Sequence, residues 1–357
     1  MPTTAPTTDS FMYLTMHRQP DDVRRVLAEG WEPAKEAARL LAGASRVMVT
    51  GIGTSYHAAL VGAWLLRAAG KDARAVLSFD LARYPESYPI EPGDAVIVMA
   101  HTGVKRFSAE AMARANGAGA TVLSVGSLTA EHPGSRLVLR TIEREKSAAY
   151  TSSHLAAMTV LAQVATELGE SSGAPGSAGL RAALERLPDQ VAATLARQEE
   201  ILPVAREAAG SRVYAAGAGP NEATALELVI KAREAAYGWV DALAIEQFLH
   251  GPMVTVNAGD LVVLINVPGR ASERVAEIAA VLHVVGARLW IVGQPVEAAP
   301  EATVFALPDA PEVISPILAV APMQILAYQM AAEKGINPDT FRRDDETYKA
   351  AFGLLKL

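Results

Sequence analysis

Short apolar runs alternate with longer segments of helical periodicity along the chain. In the first half the order is SRVMVTGIG (45–53), SYHAALVGAWLLRAAG (55–70), DAVIVMAHTG (94–103), FSAEAMARANGAGA (107–120) and TVLSVGS (121–127). Brief apolar runs bounded by small residues predict buried strands, and the segments between them predict crossover helices. Strand, helix, strand, helix, strand implies a parallel sheet. A Gly, Ser and Pro cluster at 171–179 interrupts this order, and helical segments follow over 180–209.

The second half repeats the order with SRVYAAGAGP (211–220), NEATALELVIKAREAAYGW (221–239), DLVVLINVPG (260–269), SERVAEIAAVLHVVGA (272–287) and RLWIVG (288–293). The halves share strand-to-loop junctions, Gly51-Ile52-Gly53 in one and Gly217-Ala218-Gly219 in the other. The predicted class is α/β, two doubly wound parallel-sheet, flavodoxin-like domains in tandem. The expected organisation is an N-terminal helical arm (1–35), a first domain (36–170), a linker with helices (171–209), a second domain (210–340) and a C-terminal tail (341–357).

Composition narrows the function. The chain has 357 residues, suited to two domains, and its 39 acidic against 32 basic residues give a formal charge of -7. No run of Lys and Arg could track a phosphate backbone, so nucleic acid is not an expected partner. There is no cysteine, which excludes disulfides and thiolate metal sites. The start, MPTTAPTTDSFMY, lacks the regions of a signal peptide, and the cytoplasm is the expected compartment. The uncharged stretch 314–332 approaches membrane length but contains Pro316, Pro322, Gln324 and Gln329. It is expected to be a helix buried in a core or subunit interface, not a membrane span.

In open parallel sheets ligands collect beyond the carboxyl ends of the strands. Two such ends carry candidate chemistry. Gly51-Ile52-Gly53-Thr54-Ser55-Tyr56-His57 allows a tight turn and sets hydroxyls at a helix N-terminus, where N–H groups and the dipole favour an anion. Ala100-His101-Thr102-Gly103-Val104-Lys105-Arg106 again leads strand into helix, with hydroxyl, imidazole and two cations. Helix caps and solvated surface charges are the bland alternatives; two such motifs in one sheet favour an anion site. Bound NAD is not expected, because the third glycine of GxGxxG would fall at Tyr56.

Farther on, Glu227, Lys231 and Glu234 share one helix face, a spacing that usually marks a surface ion-pair ladder. Downstream lies Glu246-Gln247-Phe248-Leu249-His250-Gly251-Pro252, where a histidine could exchange protons near neutral pH. None of the seven histidines forms a metal-binding pattern. His132 and His283 read as surface or helix residues. No cofactor or metal is expected.

From about residue 13 onward the chain resembles the isomerase half of glutamine-dependent glucosamine-6-phosphate synthase and relatives built of two sugar isomerase (SIS) domains. That family carries CGTSYHA and SQSGET where this chain has GIGTSYHA and AHTGVKR, and EGALKLKE with GELKHGP where it has ELVIKARE and EQFLHGP. The resemblance implies two SIS domains, with Thr54, Ser55, His101, Thr102 and Lys105 holding a sugar phosphate. It implies Glu227, Lys231, Glu234 and His250 in the sugar site. Glu234 would shuttle a proton between neighbouring sugar carbons, and His250, lent by the partner subunit of a homodimer, would help open the ring. Lys349 would stand for the family's tail lysine, which forms an imine with the open-chain ketose, although it is offset by several residues. The tail would cover the active site. Lys146 to Ser153 match the family's VASTKAFTTQ, so Ser147, Thr151 and Ser152 would face sugar hydroxyls; helix capping explains them equally well.

The expected activity is isomerisation or deamination of an amino sugar 6-phosphate or ketose 6-phosphate, without glutaminase chemistry. A noncatalytic sugar phosphate sensor and a deglycase of sugar-amine phosphate adducts are the alternatives.

Overall fold

The structure, a computed structural model, describes residues 9–355. The first eight residues of the expected arm and the last two of the expected tail lie outside these. Contacts divide the chain into two compact units, one holding Gln19–Glu145 and Ser152–Pro188, the other Lys146–Thr151 and Asp189–Phe352 with the stretch ending at Arg18.

The first unit runs through α1 (Phe11–Glu29, shared with the other unit), α2 (Trp31–Ala42), β1 (Val47–Gly51), α3 (Thr54–Ala68), β2 (Ala73–Leu77) and α4 (Ser78–Arg83). It continues through β3 (Ala95–Met99), α5 (Arg106–Gly117), β4 (Thr121–Gly126), β5 (Leu137–Arg140), α6 (Ser152–Ser172) and the start of α7 (Leu180–Ala196). Its sheet is parallel, in the order β2-β1-β3-β4-β5. Every residue of β1 and β3 is buried, as parallel strands covered on both faces require. Helices α3 and α6 pack so closely that a Cβ on Gly62 would lie 2.6 Å from Leu161 Cδ1.

The second unit contains α8 (Leu202–Gly210), β6 (Val213–Gly217), α9 (Glu222–Ala236), β7 (Val240–Ala244), α10 (Ile245–Leu249), β8 (Leu261–Asn266) and α11 (Ser272–Val285). β9 (Arg288–Gly293), β10 (Thr303–Phe305), α12 (Ser315–Glu333) and α13 (Glu346–Phe352) complete it. Its sheet is also parallel, ordered β10-β9-β8-β6-β7. The apolar stretch ending in α12 is 94% buried and packs on α9 and α8, so it is a core helix. Just ahead of the tail, Asp339 accepts the Phe11 and Met12 amides at 2.6 and 2.9 Å and so caps α1.

The internal repeat extends to a side-chain pair. Arg46 grips Asp94 at 2.9 and 2.6 Å in one unit, and Arg212 grips Asp260 at 3.2 and 2.8 Å in the other. In both, the carboxylate also accepts a backbone amide three residues earlier, Glu91 in one unit and Asn257 in the other, at 2.8 Å. Two five-stranded parallel sheets with flanking helices confirm the predicted α/β class.

Candidate functional site

In the first unit the strand order reverses between β1 and β3, whose Thr50 and Val98 are paired, so the two candidate loops rise side by side at the carboxyl edge. A Cβ on Gly51 would lie 2.5 Å from the Ser55 carbonyl, so only glycine permits the turn. Gly53 takes the N-cap position with φ 59° and no side-chain cap bond, which sets Thr54 and Ser55, both half-buried, in the first turn of α3. Lys105 occupies the N-cap position of α5 in extended backbone, exposed and without an ion pair among the described residues. Gly103, at φ 93°, bends the chain between Thr102 and Lys105.

His101 behaves otherwise than its family position suggests. Its Nδ1 lies 3.5 Å from Thr141 Oγ1, and burial together with the Arg144 charge pushes its pKa down to about 4. It is neutral at pH 7 in the unliganded protein and adds polarity without charge. His132 corrects the sequence reading: it is buried against Gly126, where a Cβ would lie 2.1 Å from its Nε2.

Ser147, Thr151 and Ser152 are all buried. The Ser147 hydroxyl accepts the Ala149 amide at 3.2 Å, Gln324 donates to the Thr151 carbonyl at 3.2 Å, and the Ser152 hydroxyl donates to Asp22 at 2.6 Å. None of these three bonds caps α6, whose first-turn Ser153 amide donates instead to the Glu145 carboxylate at 2.7 Å. The second sheet's matching loop is engaged by the chain itself: Glu312 lies against Gly269 and accepts the Arg270 amide at 3.4 Å.

On α9 the carboxylates and lysine are not a surface ladder. Lys231 is 1% exposed, with its Nζ 2.6 Å from Glu234 Oε2 and 3.5 Å from Glu227 Oε1. Glu227 is fully buried at 0%, and Glu234 keeps 24% of its side chain exposed. A buried cation between two carboxylates is expensive unless its hydrogen bonds are complete, so arrangements of this kind gather where chemistry needs them. His250 follows α10, exposed, with Nε2 3.3 Å from Glu246. Lys349 is exposed on α13 and 3.4 Å from Glu346.

Sequence reasoning missed a pocket of about 340 Å3 beside Glu234, walled by aromatic rings and arginines from the end of α9 and from the tail. The one hint was the density of aromatic and arginine residues in YGW (237–239) and FRR (341–343).

Comparison with known proteins gives three findings. The family described as SIS domain matches twice, over residues 40–167 and 208–334. An isomerizing glutamine–fructose-6-phosphate aminotransferase from Pyrococcus horikoshii is 30% identical, covering 93% of this chain and 56% of that protein, so this chain spans a little over half its relative's length. Two solved structures share the fold. The C-terminal domain of a glucosamine-fructose-6-phosphate aminotransferase from Francisella tularensis has TM-score 0.84 at 17% identity, covering 93% of this chain and 98% of that one. A tagatose-6-phosphate ketose/aldose isomerase from Escherichia coli has TM-score 0.77 at 18% identity, covering 95% and 97%.

Proposed function

Since the chain belongs to the SIS domain family, we propose that it is an enzyme acting on a phosphorylated sugar, an aldose-ketose isomerase or a deaminase of an amino sugar 6-phosphate. The observation that carries this reading is Lys231, buried between Glu227 and Glu234, with only Glu234 partly open to solvent. Lys231 holds the Glu234 carboxylate in place through a 2.6 Å contact, a positioning that suits a base. In the proposed reaction Glu234 takes the proton from the carbon beside the open-chain carbonyl. It then returns the proton to the neighbouring carbon through an enediol or enolamine, and His250 assists ring opening.

Thr54, Ser55, Thr102 and Lys105, with the neutral imidazole of His101, are assigned to the phosphate. Glu227, fully buried, is assigned to holding Lys231 rather than to touching the sugar, and Lys349 to the carbonyl as an imine. The exposure of His250 agrees with its being lent across a homodimer. A second reading, removal of an amine from a sugar-amine phosphate adduct, is favoured by the pocket beside Glu234.

The test is a panel of hexosamine and ketose 6-phosphates followed by NMR and thermal shift. Turnover of at least one supports the proposal. Binding without turnover makes the protein a sensor, and neither binding nor turnover removes the reading altogether.

A further inference from the structure

The two sheets repeat in register beyond the strands themselves. The spacing that carries Arg46 and Asp94 onto Arg212 and Asp260 also carries Arg106, the first residue of α5, onto Ser272, the first of α11. The loop between β8 and α11 therefore matches, residue by residue, the loop to which the phosphate is assigned in the first unit. Gly269 stands for Gly103, but Pro268 replaces Thr102, Ala271 replaces Lys105 and Asn266 replaces Ala100. The hydroxyl and the cation that suit an anion are gone, and an amide has taken the place of a methyl group. Glu312 lies so close to Gly269 that a Cβ there would meet its carboxyl carbon at 2.3 Å, and it accepts the Arg270 amide at 3.4 Å. The chain thus supplies its own negative charge to this loop.

A crevice nevertheless remains. A cavity of about 470 Å3 opens at the carboxyl ends of β8 and β9, and Asn266, Ser272, Ala276, Gln294 and Glu297 line it. Its volume suits a small molecule. Asn266, the last residue of β8, is 4% exposed, and its Nδ2 donates to the Gln294 carbonyl at 2.8 Å. That bond fixes the amide's orientation, because the flipped amide would set oxygen against oxygen. Its Oδ1 is left buried with no hydrogen-bond partner among the described residues. Buried acceptors in that state are uncommon in native folds, and this one calls for a donor.

The wall offers hydrogen bonds in both senses. Ser272 opens α11, whose first-turn amides have no carbonyl four residues back inside the helix to accept them. The Ser272 hydroxyl donates toward the Val267 and Gly269 carbonyls, each at 3.2 Å, so toward a ligand its oxygen is an acceptor. Glu297 is exposed and has no ion pair among the described residues. A phosphate or carboxylate could accept from the helix amides but has no proton for Asn266 Oδ1, and it would meet Glu297. An ammonium could donate to Asn266 but cannot accept from the amides, and it would meet the positive end of the helix dipole. A hydroxyl does both.

We infer that the cavity at the ends of β8 and β9 binds an uncharged polyhydroxy ligand, a sugar or polyol without phosphate. One hydroxyl donates to Asn266 Oδ1, and others pair with Glu297 and the first turn of α11. The site includes no residue assigned to the phosphosugar, so the two readings can fail separately.

The test is saturation-transfer NMR on the full chain with glucose, sorbitol and maltose as probes, each alone and then with inorganic phosphate or fructose 6-phosphate added. At least one probe is expected to bind at millimolar concentration and to keep its signal when either phosphate is present. Glu297→Ala, an exposed position that the fold does not need, is expected to weaken that probe about tenfold, the loss of one charge-assisted hydrogen bond. Ala276→Leu, which fills the cavity from α11, is expected to abolish binding with the melting temperature kept near the parent's. Absence of binding by all three probes, displacement by fructose 6-phosphate, or an affinity unchanged in Glu297→Ala or in folded Ala276→Leu overturns the inference.

Discussion

Lys231 Nζ lies 2.6 Å from Glu234 Oε2 and 3.5 Å from Glu227 Oε1, so one buried cation serves two carboxylates of which only one reaches solvent. The pairing divides their work. Glu227 balances the cation in the interior, and Glu234 presents a held carboxylate at the pocket.

Removing the cation should therefore unsettle both acids. Lys231→Met leaves Glu227 buried without its counter-charge, and the expected loss of stability is about 3–5 kcal/mol by urea unfolding. The double variant Glu227→Gln/Lys231→Met should recover part of that loss. A single-variant loss below about 1 kcal/mol would mean that the ammonium is solvated and the triad is a surface ladder after all.

The phosphate assignment is tested at Lys105, which stands exposed at the start of α5 without an ion pair among the described residues. A charge-assisted hydrogen bond contributes roughly 1.5–3 kcal/mol, so Lys105→Ala is expected to weaken phosphosugar binding by about tenfold or more. Binding of the unphosphorylated sugar should hardly change. Equal phosphosugar affinities in parent and variant, read by calorimetry, would return Lys105 to the solvated surface.

His101 sets an acid limit. Its folded-state pKa is about 4 against an ordinary 6.5, first through burial and then through Arg144, so the unfolded chain binds more protons between those values. The stability tied to its neutral form is complete above pH 6.5 and is lost as the pH falls toward 4. The melting temperature is expected to fall across that window, and His101→Asn to flatten the fall. Identical pH profiles for parent and variant would remove His101 as the cause.

Sharing of His250 between subunits requires a dimer. Light scattering at micromolar concentration is expected to give twice the chain mass, and mixing inactive Glu234→Gln with inactive His250→Asn should restore some activity through hybrid sites. A monomer, or mixtures that stay inactive, would confine each site to one chain.

Much of the fold was legible because the inner strands are continuous apolar runs. β1, β3, β4, β6, β8 and β9 were all readable in that way. The strands that went unread, β2, β5, β7 and β10, are the four sheet edges. Their half-exposed sequences, such as ARAVL and VDALA, mix polar and apolar positions and lose the signal.

The site was legible in residue types and less so in environment. Spacing placed Glu227, Lys231 and Glu234 on one face, but the same spacing suits a surface ladder. Packing of α12 on α9 helps bury that helix, and this is a tertiary fact. The pocket beside Glu234 was beyond reach because it depends on left-handed backbone at Tyr237, Phe341 and Arg342, residues whose type does not announce it. His132 misled for a similar reason, since its partner is a glycine visible only in the fold.

The central claim, that Glu234 moves a proton between neighbouring carbons of a phosphosugar, is tested most directly by deuterium wash-in. Hexose and hexosamine 6-phosphates are incubated in heavy water with the parent and with Glu234→Gln, and exchange beside the carbonyl is followed by NMR. The account predicts exchange in at least one substrate with the parent. It predicts a slowing of about 10² to 10⁴ in the variant, the range of a positioned base, with phosphosugar binding retained. Exchange at the same rate in both proteins, or none with any substrate, would contradict it.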